Sequence, residues 1–262
     1  LDFCHSFINA YLEATGDYGS VDVLQWYLVY RAMVRAKVAA MRAAQIEAGS
    51  AERVAADGEL DMLLRLANLF TSEHRGSPQL WITYGVSGSG KTSGSEQIVQ
   101  RHGALRLRAD VERKRLVGVK PSAHPSSGAP NSACNSASTS AVTSGRESSE
   151  GLYSAAMTEA NYQRLAELAE GLLRAGKSVI VDATCLKRWQ RDLFHDVAKR
   201  LNARYRILAF HADHGILRQR ITERLRAGSD ASDADLDVLD AQLANIEHLA
   251  ADELQFVSSV AE

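Results

Sequence analysis

Long hydrophobic runs are missing from this sequence. No apolar stretch approaches the roughly 20 residues that a bilayer-spanning helix needs, so a membrane protein is not expected. Charge of one sign is missing too. The 30 Lys and Arg stand against 32 Asp and Glu, a formal net charge of −2, which gives no signature of a nucleic-acid or membrane coat. Cysteine is scarce: Cys4, Cys134 and Cys185 have no metal-binding spacing, and an odd number suits a reducing, cytoplasmic setting. No secretory leader is recognisable. The chain begins at Leu1, without a methionine and inside a helical pattern, so a fragment of a longer protein is expected. What remains is a composition normal for a packed core, 45% hydrophobic, with room in 262 residues for one large or two modest domains.

One stretch organises the rest. The apolar run Leu80-Trp81-Ile82-Thr83-Tyr84 leads into Gly85-Val86-Ser87-Gly88-Ser89-Gly90-Lys91-Thr92, and Ser93 opens a helix-like stretch to residue 100. Strand, glycine-rich turn and helix follow in the order a phosphate-binding loop requires. The glycines let the backbone turn so that successive N–H groups point at phosphate oxygens, and the helix behind adds its positive end. Lys91 would reach the β- and γ-phosphates, and the Thr92 hydroxyl would ligate Mg²⁺. A nucleoside triphosphate site, ATP with Mg²⁺, is the expectation.

Upstream of this loop the pattern is helical. Phe3, Phe7, Ala10, Tyr11 and Ala14 recur at helical spacing until Gly16-Asp17. A second helix is predicted over 21–48, with Leu24, Tyr27, Leu28, Val34, Val38 and Met41 on its apolar side, and a third over 51–73. Arg31, Arg35 and Arg42 read as a solvated face. This divides the chain into a helical segment, 1–75, and an α/β domain, 77–262.

Within the second part, short strands are predicted at 105–109, 178–182, 205–210 and 254–260. Helical spacing falls between them: at 111–116, around Tyr162, Leu165, Leu168 and Leu172, and over 187–200, 215–226 and 233–249. Strands alternating with helices imply a parallel sheet with right-handed crossovers, an α/β class. From 118 to 151 the composition turns to Ser, Ala, Gly, Pro and Asn, and the segment reads as a mobile insertion. His211 and His214 have no third ligand and read as ordinary histidines.

Two resemblances add to this. Phe7-Ile8-Asn9-Ala10-Tyr11-Leu12-Glu13-Ala14-Thr15-Gly16-Asp17 and Tyr30-Arg31-Ala32-Met33-Val34-Arg35-Ala36-Lys37 resemble the closing helices of an aminoglycoside-phosphotransferase-like domain. That family's His-Gly-Asp loop and its downstream Asn and Asp do not stand in this chain, so the segment would be a structural remnant. In the second part, Arg108-Ala109-Asp110 with Arg113, Val181-Asp182-Ala183-Thr184 and Arg220-Ile221-Thr222-Glu223-Arg224 join the glycine-rich loop. With them the domain resembles the P-loop kinases grouped with zeta toxins and polynucleotide 5′-hydroxyl kinases, often described as AAA-type domains. The resemblance covers about 80–260 and implies a five-stranded parallel sheet of order 2-3-1-4-5. The stretch 230–235 looks like that family's lid.

The resemblance implies roles. Phosphoryl transfer is mostly positioning and charge neutralisation, and the acceptor hydroxyl needs a carboxylate to take its proton. Asp110 would be that base, though Asp is also favoured as a helix N-cap. Arg113 would bind the acceptor, or be solvated. Asp182 could hold Mg²⁺ through water. Ala183 stands where ATP-hydrolysing motors usually carry Glu, which favours transfer over hydrolysis. Arg220 and Arg224, four apart on one helix face, would close over ATP as phosphate ligands. The implied activity is transfer of the γ-phosphate to an unidentified hydroxyl acceptor. Two rivals remain: an ATPase or regulatory module without acceptor, and the accessory half of an aminoglycoside-phosphotransferase-like protein.

Overall fold

A strand buried on both faces of a parallel sheet must be apolar nearly throughout, and two such runs form the middle of the sheet here. The computed structural model describes residues 2–72, 77–118, 154–227 and 234–259. Its first half contains α1 (Asp2–Thr15), α2 (Val21–Ala43), α3 (Ala51–Ser72), β1 (Gln79–Tyr84), α4 (Lys91–His102), β2 (Leu105–Arg108) and α5 (Ala109–Leu116). Its second contains α6 (Ala155–Arg174), β3 (Val179–Asp182), α7 (Arg188–Arg200), β4 (Arg204–Ala209), α8 (His214–Ala227), α9 (Leu236–Asn245) and β5 (Val257–Ser258). The sheet is parallel throughout, in the order β2-β3-β1-β4-β5. Leu80, Trp81 and Ile82 face Val179, Ile180 and Val181, and all six are buried.

Alternation along the strands sends side chains to two layers. Trp81, Ile180 and Leu208 meet Ile98 and Val99 of α4, with Phe210 packed against them. The opposite face, carrying Leu80, Ile82, Val179, Val181 and Ile207, is left to α6 and α7, which pack on each other and on the central strands. Phe210 lies so close to α4 that a β-carbon at Gly94 would stand 2.2 Å from its ring, so only glycine lets that helix approach.

The chain divides into two compact units, 1–16 with 78–262 and 17–77. This differs from the boundary at 75–77 read from the sequence, because α1 packs on α4 and β2. The second unit is the α2–α3 pair. Its packed stripe on α2 is Ala32, Ala36, Ala39 and Ala43, while Tyr27, Val38 and Met41 are exposed. Of the large apolar side chains assigned to that face from periodicity, these three are therefore misplaced, while Leu24, Leu28 and Val34 are half-buried. Small residues win the contact with Leu63 because they let two helices come close.

Other boundaries shift for identifiable reasons. The helix read as 233–249 starts at Leu236, capped by Asp235, whose side chain accepts from the Val238 N–H at 2.9 Å. It stops at Asn245 because Glu247 is drawn away to the start of α7, where its carboxylate accepts from the Arg188 N–H at 2.6 Å. The strand read as 254–260 is mostly a 3₁₀ turn, Leu254–Phe256, leaving two residues in β5. The 118–151 insertion lies, beyond Gly118, outside the described residues, as does most of the stretch 230–235. No helix among the described residues is long and apolar enough to cross a membrane.

A buried ion pair ties α7 to the turn that leads into β5. Arg191 of α7, 1% exposed, meets Glu253 at 2.6 Å and 3.0 Å through two nitrogens and donates to the Cys185 and Glu247 carbonyls. Burial pushes the Glu253 carboxyl up, but Arg191 and the Ala250 N–H outweigh it and hold it below the usual carboxylate range. Removing one partner strands the other charge. Glu253→Ala is expected to lower unfolding stability by about 3–5 kcal/mol in a denaturant titration. A loss under about 1 kcal/mol would mean that the guanidinium reaches water or another acceptor.

Candidate active site

Strand ends converge where the loops leave the sheet, and the glycine-rich turn is tied to two neighbours there. The Gly85 N–H donates to the Thr184 carbonyl at 3.1 Å, and the Phe210 N–H donates to the Tyr84 carbonyl at 2.8 Å. Thr83, buried, bridges to β3's end, accepting from the Ala183 N–H at 3.0 Å and donating to the Ala183 carbonyl at 2.6 Å. Gly85 has φ +150°, and a β-carbon there would stand 2.5 Å from the Phe210 carbonyl oxygen. The turn then enters α4 at Lys91, leaving that helix's first N–H groups without intrahelical partners.

These ends open on a cleft of about 640 Å³. One wall is the turn and the start of α4: Ser87, Gly88, Gly90, Lys91, Thr92 and Ser93. Gly85, Val86 and Ser89 stand behind it and do not line the cleft. Asp110 and Arg113 of α5 line a second side, joined by an ion pair of 3.0 Å between Arg113 Nη1 and Asp110 Oδ1. Asp182, from the end of β3, lies between, and Arg220 and Arg224 of α8 line it as well. The residues singled out in the sequence for chemistry thus share one cleft. The structure corrects two details: β2 stops at Arg108 rather than 109, and Asp110 does not cap α5. It sits in the helix's first turn, behind Arg108 at the N-cap position.

Contacts set the electrostatics. Lys91 Nζ donates to the Val86 carbonyl at 2.7 Å. Burial pushes its ammonium down to about 8, against the pull of Asp182 and Asp110 and with the repulsion of Arg224. Burial likewise raises the Asp182 carboxyl, with Lys91 and Arg108 opposing. Asp182 also accepts from Ser95 Oγ at 3.2 Å, which orients it. Arg220 Nη1 donates to the Gly88 carbonyl at 3.1 Å, bringing α8 onto the turn, while Arg224 Nη2 donates to the Ala234 carbonyl at 2.8 Å. His211 and His214 are exposed, and among the described residues no group of three or more His, Cys, Asp or Glu could hold a metal. Oxygen donors from Thr92 and Asp182 nonetheless fit Mg²⁺, which takes few protein ligands beside phosphate and water.

Some lining residues escaped the sequence reading. Gln242 of α9 accepts from the Ser87 N–H at 2.8 Å, and nothing in a plain amphipathic helix marks it. Arg108 lay in a quoted motif without a role. Tyr162 of α6 is 2% exposed, and its hydroxyl accepts from the Cys185 N–H at 3.0 Å. Lys187 and Gln190, at the start of α7, complete that end, where Gln190 Oε1 accepts from the Lys187 N–H at 3.0 Å.

Comparison with known proteins adds the family. A family model described as an AAA domain matches residues 80–249. Uncharacterized proteins of Mycobacterium bovis and Mycobacterium tuberculosis are each 29% identical over 232 residues, covering 86% of this chain and 40% of theirs. The chain therefore spans about two fifths of the length of the curated relatives it matches. Among solved structures, a gluconokinase from Sinorhizobium meliloti is 21% identical with a TM-score of 0.46, over 72% of this chain and 86% of that one. A sugar kinase from Janibacter is 20% identical with a TM-score of 0.46, over 71% and 87%. The matched segment runs from β1 to beyond α9 and holds the glycine-rich turn, Asp110, Asp182 and both arginines of α8: the chain belongs to the AAA domain family.

Proposed function

We propose that the chain binds ATP and transfers its γ-phosphate to a hydroxyl acceptor. The observation that carries this is the carboxylate of Asp110 lining the same cleft as the phosphate-binding turn, with Arg113 holding it. Lys91 and the N–H groups opening α4 bind and orient the phosphates. Thr92 and Asp182 are the residues that would hold Mg²⁺, which when bound neutralises charge on the phosphate oxygens. Asp110 accepts the acceptor's proton, Arg113 steers the acceptor, and Arg220 and Arg224 neutralise charge on the transferred group. The motifs at 108–113, 181–184 and 220–224 support placing the chain beside zeta toxins and polynucleotide kinases. The likeness of 7–37 to the end of an aminoglycoside-phosphotransferase-like domain supports a two-part parent protein.

The test is ADP release from ATP with and without a panel of hydroxyl compounds, using labelled γ-phosphate. Transfer of label to a compound, with turnover stimulated by it, is the expected result. Label released only as inorganic phosphate, at a rate indifferent to every compound, would favour the acceptor-free ATPase or regulatory reading.

A further inference from the structure

Helix α1 lies outside the segment matched to the family, yet it grips the elements that carry Asp110. β2 is an edge strand, and one row of its backbone groups faces no strand. Asn9, 4% exposed, takes that place. Its side-chain oxygen accepts from the Arg106 N–H at 2.6 Å, and its amide donates to the Ala104 carbonyl at 3.1 Å. One turn later Glu13 meets Arg108 at 2.7 Å and Arg106 at 3.4 Å.

The far end of α5 is held as well. Arg115 donates to the carbonyls of Leu12, at 3.3 Å, and Glu13, the last turn of α1. Gly16 closes that turn with φ +72°, and a β-carbon there would stand 2.9 Å from Arg115 Nε. Helix α5 has eight residues, too few to keep an orientation without tertiary contacts. Arg108 precedes it and lines the cleft; Arg115 sits in its last turn. Between those two anchors lie Asp110 and Arg113. Without Glu13, the Arg108 guanidinium would be drawn toward the carboxylates of the cleft, where it already acts on Asp182.

Resting on the phosphotransfer reading, we infer that α1 is part of the reaction apparatus and that Glu13 is a positioning residue, holding Arg108 at the cleft and α5 in register with the phosphate-binding turn. The test compares Glu13→Gln, Arg108→Ala and the double variant in the full chain. Glu13→Gln is expected to melt near the parent and to bind ADP with unchanged affinity, while ADP release from ATP slows roughly 10- to 100-fold. Because Glu13 acts through Arg108, the double variant is expected to be no slower than Arg108→Ala alone. Unchanged turnover in Glu13→Gln, or losses that simply add in the double variant, would overturn the inference. A parent that turns over no ATP would sink the phosphotransfer reading instead. The positioning role is then read from amide exchange of 109–116: acceleration confined to that helix in Glu13→Gln supports it, and unchanged exchange overturns it.

Discussion

Lys91→Ala is expected to reduce ATP affinity by roughly 10²–10³-fold, the loss that follows when a buried charge pair loses one member. The variant should fold, because the ammonium contacts the Val86 carbonyl and the cleft rather than the apolar core. A pH dependence accompanies it in the parent protein. The Lys91 ammonium is pushed down to about 8, so near that pH about half of the free protein carries it neutral. Phosphate favours the charged form, so binding raises the value and takes up a fraction of a proton near that pH, and affinity falls as pH rises further. Calorimetry in two buffers of different ionisation heat measures both. A folded Lys91→Ala protein that binds ATP as the parent does would remove the phosphate-loop assignment.

Asp110→Asn is expected to leave ATP binding intact and to slow transfer by roughly 10²–10⁴, the usual contribution of general acid–base catalysis. Asparagine keeps the size and can still accept from Arg113, whose guanidinium lies 3.0 Å from the carboxylate. What it loses is the capacity to take a proton. The variant must first melt near the parent, which separates chemistry from folding. In an acceptor-free ATPase there is no hydroxyl to activate, so the same substitution would leave turnover almost untouched. Full transfer activity in a folded Asp110→Asn protein would remove the proposed base.

What could be read before the structure was local. The glycine-rich turn spells strand, turn and helix within one contiguous stretch, so its conformation follows from neighbours in the chain. β3 was legible for a similar reason: a strand covered on both faces has no polar positions to hide the pattern. The sheet order came from resemblance rather than from any local signal, and the parallel pairing agrees with it. The alanine stripe of α2 was illegible because periodicity weighs hydrophobicity, whereas close helix packing selects size.

Chemistry-bearing residue types and the elements that carry them were thus written into the chain: Lys91 and Thr92 after the turn, Asp110 after β2, Asp182 at a strand end, two arginines on one helix face. Their convergence on one cleft, and the company they keep there, came from folding. Gln242 reaches the Ser87 N–H across 155 positions, Glu253 neutralises Arg191 across 62, and Glu13 meets Arg108 across 95. No window along the chain contains both members of such a pair. Their meeting depends on the order in which five strands assemble and on which edge α1 finds uncovered, and those are properties of the packed sheet.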